Sequence, residues 1–140
     1  MALQEIHEKF GGSWKMARSE KFEEYLEAMG VGIIKRTVAS KLSPVLEISV
    51  EGDVVKVITK TTIKTLPVEG KLGEEFDTET LGRHEKTVYK FEDGKLIATS
   101  VPIDSKQKVS VIERDIVDGE LVQTMTVGDV VCKRYFCRNQ

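Results

Sequence analysis

Cysteine is scarce in this sequence, with two residues in 140, Cys132 and Cys137. Both fall in what reads as one strand, where five residues at about 3.3 Å each hold them about 16 Å apart, beyond disulfide reach. Reduced thiols are expected. No Cys-x-x-Cys pair or histidine cluster stands near them, so neither a metal nor another cofactor is expected. Histidine is equally rare. His7 and His84 sit in an N-terminal arm and a turn, without the neighbours of a catalytic triad. A thiol at Cys132 in apolar surroundings is a poor nucleophile, so the chain is not read as an enzyme. Long apolar runs are missing too: Val31 to Ile34 falls far short of the roughly 20 residues of a membrane-spanning helix. Nor is there an excess of one charge, since 21 Lys and Arg alternate with 23 Asp and Glu. Nucleic acid, which needs clustered basic charge, is excluded as the main partner. The N-terminus carries no basic-then-apolar signal pattern, which leaves the cytoplasm, with the nucleus as a further compartment, as the expected location.

What is present divides into an N-terminal arm, a helical insert and a long series of strands, read as one unit over residues 1–140. Ser19 is a candidate helix cap, and Phe22, Tyr25, Leu26 and Met29 recur at the i, i+3, i+4, i+7 spacing of one apolar helical face. Gly30 stops that helix. A second amphipathic segment runs from about Gly32 to Lys41, with Ile33, Ile34, Val38 and Leu42 expected to pack inward, and Pro44 prevents further helix. From Val45 the period changes to two. Glu51-Gly52-Asp53, Asp93-Gly94, Asp118-Gly119 and Gly128-Asp129 read as hairpin corners. Between such corners lie Val54 to Thr59, Lys86 to Phe91, Val109 to Ile116, Glu120 to Thr126 and Val130 to Phe136. Regular short strands with tight turns predict an all-β sandwich or barrel, and closure into a barrel removes the raw edges of a long meander.

Polar residues on both faces of several strands sharpen that expectation. Thr59, Thr61 and Thr62, then Ser110 with Arg114, then Gln123 with Thr124, do not suit a solid core. A barrel wide enough to hold water and one elongated ligand accommodates them. Ile112, Arg114 and Ile116 share one strand face; Cys132, Arg134 and Phe136 share another. A guanidinium on such an apolar face needs a counter-charge or water, and its planar fork matches a carboxylate. The alternative is an outward arginine paired with Glu113 or Asp115, worth about 0 to 1 kcal/mol. Parity alone leaves both open.

Three groups of residues resemble one family, the intracellular lipid-binding proteins, which include fatty-acid-binding and cellular retinoid-binding proteins. The first is Phe10-Gly11-Gly12-Ser13-Trp14-Lys15 with Ser19 to Leu26 and Gly30-Val31-Gly32. The second comprises Gly52-Asp53, Thr61 to Lys64, and Leu72 to Asp77 with Gly82-Arg83; the third is Arg114 to Gly119 with Gly128 to Arg134. Lys21 stands where the family more often has asparagine, one residue is missing before Gly82, and the loop from Pro102 to Lys108 is longer. The resemblance implies a ten-stranded antiparallel up-and-down β-barrel of calycin type, with a two-helix lid at about residues 19–42. It also implies that Arg134 and Arg114 bind a ligand carboxylate. The tyrosine that usually completes the group is replaced by Phe136, so a two-arginine, water-assisted site is expected.

Phe22, Tyr25, Leu26, Val38, Thr61, Ile63, Arg83, Ile112, Cys132 and Phe136 are expected at the cavity or its portal, although aromatics at helical spacing also serve as lid packing. Arg83 reads equally well as a solvated turn residue. The function implied is cytosolic binding and transport of a long-chain fatty acid or similar acidic lipid by a monomer that touches membranes transiently. A retinoid or bile-acid-like ligand, or a peripheral membrane protein whose surface matters more than its cavity, are the competing readings. Lys35, Lys41 and Lys64 are the lysines that such a membrane contact would use.

Overall fold

Two-residue turns set the architecture. Asp93-Gly94 and Asp118-Gly119 both hold their central residues at positive φ, 52° and 75° in the first and 52° and 82° in the second. That is the signature of a type I′ turn, whose twist matches the flanking strands and locks an antiparallel hairpin. The computed structural model describes residues 1–139.

In chain order the elements are α1 (Ala2–Phe10), β1 (Gly12–Glu20), α2 (Phe22–Ala28) and α3 (Ile33–Ser40), followed by β2 (Val45–Glu51), β3 (Val54–Lys60) and β4 (Thr65–Lys71). Then come β5 (Phe76–Thr80), β6 (Arg83–Glu92), β7 (Lys95–Pro102), β8 (Ser110–Val117), β9 (Glu120–Val127) and β10 (Val130–Arg138). The ten strands form one antiparallel sheet in the order β4-β3-β2-β1-β10-β9-β8-β7-β6-β5. Among the described residues, only β4 and β5, neighbours in the chain, share no backbone ladder. There the ring of Phe76 lies over Gly70 and 5.3 Å from the ring of Tyr89, so side chains fill the seam. Strand β1 serves both halves of the wall, pairing with β2 through Gly12 to Lys15 and with β10 through Trp14 to Glu20, with a register shift between Met16 and Arg18.

The helices depart from the sequence reading in three ways. The N-terminal arm is a helix, α1, which buries Ile6 and Phe10. It is fixed by Trp14 Nε1 donating to the Phe10 carbonyl (2.8 Å) and by Lys9, which reaches the Gly94 carbonyl and Asp115. Gly94 and Asp115 belong to the β6–β7 and β8–β9 end of the barrel, so α1 covers the end opposite α2. Ser19 does not cap α2; it lies in β1, and the residue before the helix is Lys21 at φ 60°. The helix stops where expected, with Gly30 at φ 87°. Finally, Ile33 and Ile34, expected to pack inward, are 66 % and 78 % exposed, and Val38 is exposed as well. The reason is that α3 spans an opening and has no solid core beneath it.

Candidate functional site

Two apolar clusters leave a hollow between them. One, around Ile6, Phe10, Trp14, Leu46, Leu96 and Phe136, fills the α1 end. The other, around Tyr25, Leu26, Met29, Val127 and Cys132, packs α2 onto β9 and β10. The cavity they enclose has a volume of about 530 Å³, within the range of small-molecule sites.

At its inner end four polar residues lie in one row across the sheet. The strand register places Arg114 opposite Gln123, Gln123 opposite Arg134, and Arg134 opposite Ser19. Side-chain bonds follow the register. Arg114 Nε donates to Gln123 Oε1 at 2.9 Å, and Arg134 Nε donates to Ser19 Oγ at 3.2 Å. From the lid, the Phe22 ring lies 3.7 Å from the Arg134 guanidinium carbon, a cation–π contact. Both arginines are only 6 % exposed and both line the cavity. Among the described residues neither has a carboxylate partner. Burial pushes the Arg134 guanidinium down to about 10, which leaves it charged at neutral pH, and pushes Arg114 in the same direction. An uncompensated buried cation costs several kcal/mol, so the row is organised to receive an anion or ordered water.

Of the other residues expected at the cavity, Phe22, Tyr25, Leu26, Val38, Thr61, Ile63, Ile112 and Phe136 all line it. Ile63 stands at the rim, on a loop held by Thr61 Oγ1, which accepts from the Ile63 and Lys64 amides. Two residues do not line it. Arg83 is neither a cavity residue nor a solvated turn residue. It is 2 % exposed at the start of β6, on the same buried face as Glu85, 3.0 Å from that carboxylate, and donates to the Met29 and Lys108 carbonyls. Cys132 is buried under α2, where burial pushes its thiol up to about 11 and keeps it protonated.

Sequence reasoning passed over Gln123 and Ser19 as members of the arginine row, and Glu85, Thr78, Thr87 and Ser100 as cavity polar groups. Parity carried the signal for Gln123, which alternates with Leu121 and Met125 on the buried face of β9. Glu85 had no such signal, because β6 carries charges on both faces.

The sequence profile of the Lipocalin / cytosolic fatty-acid binding protein family matches residues 11–139. The chain belongs to that family. Among its relatives is fatty acid-binding protein homolog 6 of Caenorhabditis elegans, 42 % identical over 134 residues that cover 95 % of this chain and 99 % of that protein. Mouse cellular retinoic acid-binding protein 2 is 40 % identical, covering 92 % and 97 %. Among solved structures, apo lipid binding protein 8 of C. elegans superposes with a TM-score of 0.92 at 36 % identity, covering 94 % of this chain and 96 % of that one. A Schistosoma mansoni fatty acid binding protein in complex with arachidonic acid superposes at 0.88, with 31 % identity and full coverage of both. The ten-stranded barrel anticipated from the sequence is thus the family's fold.

Proposed function

We propose that the protein is an intracellular carrier of a long-chain fatty acid or similar acidic lipid, with Arg134 and Arg114 holding the carboxylate. The observation that supports this reading best is the pair of buried, uncompensated guanidinium groups at the inner end of an otherwise mainly apolar cavity. Charge-assisted bonds from a planar fork to a carboxylate are about twice as strong as neutral ones, and here the cost of desolvating the cations has already been met on folding. Phe136 offers no hydroxyl, so water completes the head-group shell. A retinoid acid is the second reading, favoured by the 40 % identity to a retinoic acid-binding protein; its carboxylate would use the same two arginines. The chain acts as a monomer and carries out no turnover. Access is through the lid end, where exposed Ile33 and Ile34 precede Lys35 on α3, a combination suited to brief contact with an anionic membrane.

Calorimetric titration with oleate tests this. One lipid per chain is expected. Truncating one member of a buried charge pair costs about 2 to 5 kcal/mol, so Arg134→Ala lowers affinity by about thirtyfold or more. Arg18→Ala, on the outer surface against Glu120, leaves it unchanged. Equal affinity in Arg134→Ala overturns the head-group assignment.

A further inference from the structure

A fatty acid brings one negative charge to the inner end of the cavity, where two positive charges wait. Guanidinium groups keep their proton in proteins, so Arg114 and Arg134 both carry charge into one mainly apolar hollow. Among the described residues Glu85 is the only carboxylate lining that hollow, and it is already 3.0 Å from Arg83. It is also remote. Arg114 shares a level with Leu96 and Phe91, and the distance along β6 from Phe91 back to Glu85 is about 20 Å.

Donors are in surplus at the same place. Each Nε is tied to the wall, Arg114 to Gln123 Oε1 and Arg134 to Ser19 Oγ, and among the described residues no group accepts from the Nη nitrogens of either arginine. Gln123 adds a further donor, since its Nε2 meets the Met125 sulfur at 3.2 Å, a weak acceptor. Arg114, Gln123 and Arg134 all line the cavity, so these N–H groups are open to a ligand. The two arginines flank β9 from β8 and β10, which sets their Cα atoms two strand spacings, about 9 to 10 Å, apart. A carboxylate turned edge-on to one guanidinium fork has no third oxygen for the other.

From this surplus of charge and donors we infer that the arginine row takes a doubly charged head group, and that a single-chain lipid phosphate monoester binds in preference to a fatty acid of equal length. Two phosphate oxygens meet one fork. The third turns to the other arginine, directly or through one water, with Gln123 Nε2 between them. A cavity of about 530 Å³ has room for that water beside the chain, so the dianion is not stripped of all its hydration. A phosphate monoester loses its second proton at about pH 6, so its doubly charged form dominates above neutrality. Of the protein groups that face the row, burial pushes Tyr25 and Tyr89 up to about 12 and Cys132 up to about 11, and among the described residues no histidine lines the cavity. Glu85, and the exposed Glu20 and Glu24 beyond Cys132, act on every ligand alike and cancel in a ratio of affinities.

This preference rests on reading the cavity as an acidic-lipid site, and one set of titrations separates the two. Dodecanoate, dodecyl phosphate and dodecyl sulfate are titrated calorimetrically against the whole protein; the sulfate has the shape of the phosphate with a single charge. At about pH 7.5 the phosphate is expected to bind about tenfold more tightly than either of the others, the gain of one further charge-assisted bond. The phosphate-to-sulfate ratio falls about threefold at about pH 5.5, as the dianion fraction drops. In Arg114→Gln, which leaves one cation, both ratios fall towards one. Should that variant not fold, the pH series in the unmodified protein decides. A phosphate no tighter than dodecanoate, a sulfate as tight as the phosphate, a ratio that ignores pH, or a preference that survives Arg114→Gln overturns the dianion site while the head-group reading stands. Binding of all three ligands unaffected by Arg134→Ala overturns the head-group reading and the dianion site with it.

Discussion

Phe136 lies two residues beyond Arg134 on the same inner face of β10, fully buried and lining the cavity. A tyrosine there would add one donor close to a bound carboxylate. Hydrogen bonds to charged groups are worth about 1.5 to 3 kcal/mol, so Phe136→Tyr is expected to tighten fatty-acid binding about tenfold in calorimetric titration. An unchanged affinity would mean that water already fills the position equally well. The arginine row was legible in the sequence because Arg114 and Arg134 each interrupt an apolar face of period two. Arg83 and Glu85 were not, since Lys86, Lys90 and Glu92 put charge on the other face of the same strand and parity could not say which face was inside.

Three elements meet at Arg83: the end of α2 through the Met29 carbonyl, β6 through Glu85, and the β7–β8 loop through the Lys108 carbonyl. Removing one partner of a buried ion pair leaves an uncompensated charge, so Arg83→Met is expected to lower unfolding free energy by about 3 to 5 kcal/mol in urea. A midpoint equal to that of the unmodified protein would show that the tie carries no stability. The lid helices were readable from spacing and from Gly30, whose φ of 87° suits a helix stop that other residues adopt poorly. The first helix was not. Helix α1 has nine residues, too few to stand alone in water, and it exists because Ile6 and Phe10 find a barrel end to cover. Helix α3 failed in the opposite sense: its pattern is amphipathic, yet a hollow lies where the core was expected, and Ile34 and Val38 became rim.

At the scale of the whole molecule, α1 is joined to the barrel by an ion pair, Lys9 Nζ to Asp115 Oδ1 at 2.8 Å. Burial alone would raise the Asp115 carboxyl. The bonds from Lys9 and from the Ile116 amide outweigh it and hold the group below its ordinary value of 3.8. A carboxyl lowered on folding contributes stability that is complete above its unfolded value and is lost as pH falls through the folded one. Denaturation midpoints should therefore drop as pH falls through about 3.8 and below, and Asp115→Asn should be less stable at neutral pH with a shallower acid limb. Matching acid limbs would rule out this linkage. Closure into a barrel was legible, since a long meander with tight turns has few other ways to bury its edges. Which strands would meet without pairing was not, because it depends on how the last turn of the wall falls.

That seam has a mechanical consequence. Everywhere else around the barrel, widening the wall breaks rows of backbone hydrogen bonds. Between β4 and β5 it strains no ladder, only the packing of the Phe76 ring on Gly70 and Tyr89 and single hydrogen bonds from Tyr89 Oη to the Val68 carbonyl and from the Gly73 amide to the Tyr89 carbonyl. The bore thus has one compliant direction built into an otherwise stiff hoop. A bulkier lipid is accommodated by a slight parting along that line, with every ladder and the arginine row on the far side of the circumference left in register.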